Sequence, residues 1–227
     1  PLVAATMFGV TTPCVERARE KLEAAGCEVL VFHATGTGGR SMEDLARQGL
    51  LAGVLDVTTT ELADELVGGI LSAGPDRLAA AGALGVPQVV SVGATDMVNF
   101  GPRASVPPAF EGRRFHVHNE NVTLMRTTAD ECRAIGALIG TKLARARGPA
   151  AVLLPERGVS AIDRAGQPFD DPAARRALFD ALRENAGAVP VATLPHHVND
   201  PQFADACATK LLELMRVARA PSPTPSR

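Results

Sequence analysis

The sequence predicts an α/β fold: a doubly wound, Rossmann-like parallel sheet with helices on both faces. Short runs rich in β-branched residues alternate with longer segments rich in Ala, Leu, Arg and Glu, which is the pattern of successive βαβ units. Hydrophobic residues make up 46% of the 227 residues, enough for a sizeable buried core. No internal repeat is visible. We therefore predict a single domain over residues 1–217, followed by a disordered Pro/Ser-rich tail at 218–227.

The individual elements follow from the local pattern in chain order. Apolar runs predict strands at residues 2–8, 28–32, 54–57, 88–92, 114–117, 150–154 and 189–194. Amphipathic segments predict helices at 13–25, 41–51, from about 60, 75–84, 128–147, 172–185 and 201–217. Gly26 is the expected stop of the first helix, and Pro172 stands at the favoured first position of the sixth. Segment 101–113 is too rich in Pro and Gly for regular structure, and it and segment 155–171 are predicted to be long loops.

Composition argues against two classes of partner. A formal net charge of -2 gives no electrostatic reason to expect a nucleic acid, and the absence of Tyr and Trp removes the usual stacking platforms for single strands. No apolar run reaches the roughly 18 residues that a membrane span needs. The four cysteines form no CxxC pair, which indicates a reducing, cytoplasmic location. The chain begins inside an apolar run without Met, so we expect it to be an excised part of a longer protein.

The segment HATGTGGRSMED, which follows the second predicted strand, is the sharpest candidate for a ligand site. Gly36, Gly38 and Gly39 permit positive φ and bring amides together at a helix start, where the dipole favours an anion. Thr37 lies among them, and Arg40 would supply positive charge to a phosphate or carboxylate. The segment matches neither the GxxxxGK[ST] P-loop nor the GxGxxG fingerprint. A turn used only to reverse the chain is the alternative.

Polar residues also follow the first, third and fourth predicted strands. Thr11, Thr12 and Thr59 would offer hydroxyl donors, although each is also a natural helix N-cap. Asp96 is interpreted as a group that could hold a ribose, a metal ion or a substrate hydroxyl, or equally as a cap. Ligands of open parallel sheets bind beyond the carboxyl ends of the strands. We therefore predict that these residues and the glycine segment share one site.

Other polar residues are weaker candidates. His116 and His118 lie two apart on a predicted strand and could bind a metal with Glu120, but polar strand-end residues are the alternative, and we assign no metal site. Arg157 and Arg164, in the loop at 155–171, would reach an anion if that loop folds over the site; solvated arginines are the alternative. The serine of this loop lacks the GxSxG elbow of a hydrolase nucleophile.

Six segments together resemble a known family: MFGVTTPCV, FHATGTGGRSMEDL, GVLDVTTTELADELVGG, HNENVTLMRTT, GVSAIDRAGQPFDDP and NDPQFADA. They are similar to bacterial members of the ATP-binding domain family of the tomato mosaic virus resistance protein, over nearly all of residues 1–217. The resemblance is to the second half of the family domain. It implies a longer, two-lobed protein, with the N-terminal half as a partner of this one. It also implies a cytoplasmic α/β module that binds ATP and tends to form homodimers.

The leading hypothesis is a nucleotide-binding domain. The amides of the glycine segment and the hydroxyls of Thr11 and Thr12 would hold the phosphates of ATP, and Arg40 would neutralise their charge. Mg²⁺ could bridge the phosphates, with Asp56 and Asp96 as its candidate ligands.

Two alternatives belong to other classes of protein. The first is a metabolic enzyme that acts on a small carboxylated or acyl metabolite at the same anion site, with His33, His118 or Glu120 as its acid or base. The second is a protein-interaction module in which the loops are structural and the surface binds a protein.

Overall fold

The structure is a computed structural model that describes residues 1–219. Its strands are β1 (Leu2–Met7), β2 (Glu28–His33), β3 (Gly53–Thr58), β4 (Gln88–Gly93), β5 (Met97–Phe100), β6 (Phe115–Asn119), β7 (Val122–Arg126), β8 (Ala150–Pro155) and β9 (Val191–Leu194). Its α-helices are α1 (Thr12–Ala24), α2 (Thr37–Arg47), α3 (Thr60–Val67), α4 (Ala80–Leu84), α5 (Ala129–Leu143), α6 (Pro172–Asn185) and α7 (Pro201–Arg219). The first two residues of the predicted tail, 218 and 219, belong to α7, and residues 220–227 lie outside the described residues.

Six strands form a parallel sheet in the order β2-β1-β3-β4-β8-β9. The chain passes from β1 to β2 on one side and then returns to β3 on the other side of β1. The strand order therefore reverses between β1 and β3, and ligands of open parallel sheets bind at such a point, outside the carboxyl ends of the strands. β3, β4 and β8 are buried along their whole length, as expected for strands covered on both faces.

Helices cover both faces of this sheet. On one face α1 and α7 pack over β1 and β3, with Leu22 and Phe203 in the core. On the other face α2 and α4 cover β1 and β3, while α3, α5 and α6 cover β4 and β8 around Ile135 and Leu178. This arrangement confirms the predicted doubly wound α/β fold.

A three-stranded antiparallel sheet follows β4; its strand β6 matches the strand predicted at 114–117, whereas β5, β7 and the sheet itself were not predicted. Its order is β5-β7-β6. One face packs in an apolar cluster with Met97, Leu124 and Phe169, and the other in a cluster with Phe100 and Met125. β5 has only four residues, one of them Asn99, and follows β4 after a three-residue gap, so its sequence shows no separate apolar run.

The helix predicted from residue 75 is confined to the five residues of α4. The Glu43 carboxylate, on α2, accepts hydrogen bonds from the Leu78 and Ala80 amides at 2.6 and 2.7 Å. A side chain from another element therefore satisfies amides at the start of α4. The local pattern of residues 75–84 carries no sign of this distant partner.

Candidate functional site

The predicted site residues lie on loops at the carboxyl edge of the six-stranded sheet. Thr11 and Thr12 follow β1, the glycine segment follows β2, Thr59 follows β3 and Asp96 follows β4. Parallel topology requires this common edge. Several of the side chains are nevertheless buried beneath the loops rather than exposed on them.

The glycine segment forms the start of α2 and binds a carboxylate of the protein itself. α2 begins at Thr37, four residues before its predicted start at 41, because Gly36 takes a positive φ of +85°. The Gly36 and Gly39 amides both donate to Oε1 of Glu61, at 2.7 and 3.0 Å. Glu61 is fully buried in the first turn of α3. The anion held by these two amides is therefore an internal side chain.

Glu61 belongs to a buried ionic network that sequence analysis missed. Its Oε2 accepts a hydrogen bond from Nε of Arg77 at 2.6 Å, and Arg77 also donates to both carboxylate oxygens of Asp56 at 2.5 and 2.7 Å. Arg77 is 0% exposed. Burial lowers the pKa of its guanidinium, but the adjacent Asp56 and Glu61 carboxylates outweigh burial and raise it. In the sequence, the only sign of this network was Arg77 itself, a single arginine in the segment of mostly small residues before α4.

Two glycines of the segment are required by close approaches. A Cβ at Gly38 would lie 1.8 Å from the carbonyl oxygen of His33, and a Cβ at Gly39 would lie 2.2 Å from Oε2 of Glu61. Any side chain at these positions would push the start of α2 away from β2 or from Glu61. Close packing therefore explains why glycine is needed at these two positions, independently of any ligand.

Two amides at the start of α2 have no partner among the described residues. The Thr37 and Gly38 amides have no hydrogen-bond acceptor within residues 1–219, and Thr37 is exposed. Free amides at a helix start favour an anion. Arg40, the predicted counter-charge, instead donates from Nη1 to the carbonyl oxygen of Ser72 at 2.9 Å and lines a cleft beside residues 73–77.

The predicted threonines that follow β1 and β3 differ in their environments. Thr11 is fully buried, and its Oγ1 lies 2.8 Å from Oγ1 of Thr58. Thr59 is also fully buried and donates to the carbonyl oxygen of Ser91 at 3.0 Å. Thr12 is half-buried, and its hydroxyl donates only to the carbonyl oxygen of Phe8 at 3.2 Å. Thr12 is therefore the least buried of these three threonines, and Thr37 at the start of α2 is more exposed.

Asp96 lies under the loop that follows β8 and is 1% exposed. Its Oδ2 accepts a hydrogen bond from Oγ of Ser160 at 2.7 Å, and its Oδ1 has no hydrogen-bond partner within residues 1–219. Burial, followed by the charge of Asp163, raises the pKa of Asp96 to about 7. Asp96 is therefore buried inside the domain and is not exposed at the carboxyl edge.

The two candidate magnesium ligands have no carboxylate oxygen exposed at this edge. The oxygens of Asp56 accept hydrogen bonds from Arg77 and from Thr6, the latter at 2.7 Å. Asp96 is enclosed by the loop above it. Across the described part of the chain, no group of three or more His, Cys, Asp or Glu side chains is placed to hold a metal ion.

The loop between β8 and α6, residues 156–171, folds over the loop that follows β1. The Ala161 amide donates to the carbonyl oxygen of Val10 at 3.0 Å. Asp163 is buried inside this β8–α6 loop, where its carboxylate accepts from the Val159 amide at 3.0 Å and from Arg175 at 2.7 Å. The sequence marked the segment as a loop but did not identify Asp163 as its internal anchor.

The histidines are separated by the topology. His33 is exposed at the end of β2, in the six-stranded sheet, whereas His118 and Glu120 are exposed on the β6–β7 hairpin of the small sheet. His116 packs edge-on against Phe169, with ring centroids 6.4 Å apart. The structure does not place the three proposed acid–base residues in a single sheet.

His197 follows β9 and holds the β8–α6 loop in place. Its Nε2 lies 2.8 Å from the carbonyl oxygen of Ser160, and its Nδ1 accepts from the Asn199 amide at 3.1 Å. Burial is the main cause that lowers the pKa of this imidazole. The amide of Asn199's side chain donates to the carbonyl oxygen of Val10 at 3.0 Å, so this turn also joins the loop after β1.

The fold and its edge loops define a doubly wound α/β domain of the Rossmann-like class. Residues 1–215 match the C-terminal domain of the uncharacterised protein family UPF0261, and the chain belongs to that family. Within residues 1–219, no helix combines the length and apolarity that crossing a membrane requires.

Relatives of this chain occur in bacteria and in a plant. A UPF0261 protein of Clostridium tetani is 54% identical over 217 residues, which are 95% of this chain and 54% of that protein. The ToMV resistance protein Tm-1(GCR237) of Solanum lycopersicum is 50% identical over 220 residues, 96% of this chain and 29% of that protein. These similarities confirm the predicted family resemblance. The chain spans about half the length of the bacterial relative.

Among solved structures, a LacI family transcriptional regulator from Lactobacillus casei with bound glucose aligns with 97% of this chain and 95% of its own. The TM-score is 0.37 and the sequence identity is 16%, so no functional argument rests on this similarity.

Proposed function

We propose that this domain binds ATP at the carboxyl edge of the six-stranded sheet. The observation that carries the proposal is the position of the free Thr37 and Gly38 amides, at the helix start that follows β2, next to the reversal of strand order between β1 and β3. Backbone amides at such a position suit a phosphate oxygen. The geometry of this edge would suit several anionic ligands, and the resemblance to an ATP-binding family is the reason to propose ATP.

The surface groups of this edge are small and polar. Gly9 and Thr37 are exposed, and Thr12 and Thr35 are half-buried. A Cβ at Gly9 would have no heavy atom within 4 Å among the described residues, so the loop after β1 is open to an approaching ligand. In this proposal Thr12, Thr37 and Gly38 face the nucleotide.

The remaining predicted residues have a supporting role in the proposed site. Gly36 and Gly39 hold Glu61 and thereby fix the start of α2. Thr11 and Thr59 make internal hydrogen bonds beneath the edge. These contacts keep the outward amides in one geometry, which lowers the entropic cost of binding.

The proposed site forms one wall of a larger nucleotide-binding site. Since the chain spans 54% of the Clostridium tetani relative, we propose that the N-terminal part of the full-length proteins supplies the opposite wall. We further propose a cytoplasmic homodimer, in keeping with the family resemblance. The four cysteines are all free and buried, which suits a reducing compartment.

Calorimetric titration of the full-length natural protein with ATP tests this proposal. Thr37→Asp places a negative charge at the first position of α2, where the helix dipole accommodates it but an incoming phosphate is repelled. ATP affinity is expected to fall about tenfold or more, whereas the neutral control Thr37→Asn stays near the native value. Absence of ATP binding to the native protein, or equal affinities of the two variants, would refute the proposal.

A further inference from the structure

The glycine segment lacks the positive charge that a polyphosphate needs. Two of its amides are used by Glu61, and the Arg40 guanidinium is turned to the carbonyl oxygen of Ser72. The free amides of α2 provide dipoles but no net charge. A nucleotide that carries several negative charges therefore requires cationic side chains from another part of the carboxyl edge.

The β8–α6 loop is the part of this edge that closes over the loop after β1. The Ala161 amide bonds the carbonyl oxygen of Val10 at 3.0 Å, and the Ala94 amide bonds the carbonyl oxygen of Val159 at 2.9 Å. These bonds join the β8–α6 loop to the loops after β1 and β4. Side chains on the outer surface of the β8–α6 loop therefore border the strand-order reversal at which the ligand is proposed to bind.

The β8–α6 loop has a fixed conformation. Asp163 anchors it internally through Arg175, at 2.7 Å, and through the amide of Val159. Gly158 takes a φ of +135°, and a Cβ there would lie 1.6 Å from the carbonyl oxygen of Asp163. Only glycine fits this approach. Charged groups on such a loop are held in position before a ligand arrives.

Arg157 and Arg164 lie on the outer surface of this loop and are exposed. Neither has a carboxylate within 4.0 Å in residues 1–219, in contrast to Arg126 and Arg175, which are both paired with Asp163 inside the loop. Two guanidinium groups are therefore available to an external anion.

Both arginines lie near the turn that follows β9, and Asn199 of this turn bonds the loop after β1. The Arg157 amide donates to the carbonyl oxygen of His196 at 3.0 Å. After burial, the charge of Arg164 is among the causes that lower the pKa of His197 in this turn. The acidic groups near this turn are Glu156, which is exposed, Asp200, which accepts a hydrogen bond from the His197 amide at 2.8 Å, and the buried Asp163.

We propose that Arg157 and Arg164 bind the anionic end of the ligand. The phosphates would then extend across the loop after β1 toward the β8–α6 loop, rather than end at the glycine segment. This inference rests on the proposed nucleotide binding and adds the direction in which the phosphates lie. It also predicts that the affinity lost when the two arginines are replaced increases with each additional phosphate of an adenine nucleotide.

Calorimetric titration of the full-length protein with ATP, ADP, AMP and adenosine tests the inference. The variant is the double substitution Arg157→Gln and Arg164→Gln, which removes both positive charges and keeps the side chains polar. ATP affinity is expected to fall about tenfold or more, with a smaller loss for ADP and AMP and none for adenosine. The native affinity for ATP, and not that for adenosine, is expected to weaken as salt is raised.

The control is Arg147→Gln, an exposed arginine that precedes β8 at the opposite, amino edge of the sheet. This control is expected to bind ATP with the native affinity. Thermal melting of the control and of the double variant checks that both are folded. Unchanged ATP affinity in the double variant, while Thr37→Asp still weakens ATP binding, overturns the inference and leaves the proposed function standing. An equal loss for ATP and adenosine overturns it as well. No ATP binding by the native protein overturns both.

Discussion

At the scale of single residues, the carboxyl edge is supported by buried charges. Glu61 links the start of α2 to Arg77, and Arg77 links it to Asp56 on β3. A buried ion pair contributes little beyond a well-packed apolar pair, but removal of one partner leaves an uncompensated charge and is costly. The network therefore makes the geometry of the glycine segment dependent on a side chain from α3.

Glu61→Gln is expected to lower the free energy of unfolding by roughly 3–5 kcal/mol, because its amide would face Arg77 and leave that guanidinium with one fewer carboxylate. Urea denaturation measures the change. The matched control is Glu65→Gln, an exposed position of the same helix, which is expected to change stability by less than about 0.5 kcal/mol. Similar stabilities for the two variants would contradict the assigned role of Glu61.

Asp96 is expected to make stability depend on pH. Its pKa is raised to about 7 in the folded protein, whereas an unfolded Asp ionises near pH 3.9. The folded state therefore retains a proton that the unfolded state has lost, and stability decreases as pH rises from about 4 to 7. Asp96→Asn keeps an acceptor for Ser160 and removes the titration.

Denaturation of native protein and Asp96→Asn at pH 5, 6, 7 and 8 measures this effect. The native protein is expected to lose up to roughly 3 kcal/mol more than the variant across this range. Part of the native slope is expected to survive in the variant, because burial also raises the pKa of Asp64 to about 7. Parallel pH profiles would contradict the assigned titration of Asp96.

At the scale of elements, α5 and α6 are joined by close backbone packing. A Cβ at Gly136 would lie 2.2 Å from the carbonyl oxygen of Leu178, and a Cβ at Gly140 would lie 2.7 Å from the carbonyl oxygen of Leu182. The two helices therefore approach most closely at these two glycines, where α5 has no side chain. They form the wall of the core over β4 and β8.

Gly136→Ala is expected to destabilise the protein by roughly 1–3 kcal/mol, although Ala is the better helix former, because the helices must separate to admit the methyl group. Thermal melting measures the loss. Ala134→Ser, on the exposed side of the same helix, is the control and is expected to melt close to the native temperature. Stabilisation by Gly136→Ala would show that α5 and α6 are less closely packed.

The elements also show how far local pattern determines structure. The helix predicted at 172–185 has those same limits in α6, where Asp171 and Pro172 define the start locally. The short strands β5 and β7 were missed, because their sheet is recognised only when they pair with each other across more than twenty residues. α4 was overestimated, because Glu43 from α2 satisfies amides that a longer helix would have bonded.

At the scale of the whole molecule, the position of the candidate site was predictable but its internal chemistry was not. Parallel topology places every loop after a strand of the main sheet at one edge, so the predicted residues share that edge. The partners of those residues depend on contacts distant in sequence, such as Glu61 with Gly36 and Asp96 with Ser160. A glycine-rich pattern in the sequence does not reveal that two of its amides donate hydrogen bonds to a carboxylate of the protein itself.

Difference electron density for ATP in crystals of the full-length protein would locate the nucleotide directly. Phosphate density is expected over the loop after β1, between the Thr37 and Gly38 amides and the β8–α6 loop. Density confined to the cleft lined by Arg175, Arg176 and Arg183, or to the cleft beside Arg40, would contradict this expectation. So would an empty carboxyl edge in crystals equilibrated with millimolar ATP.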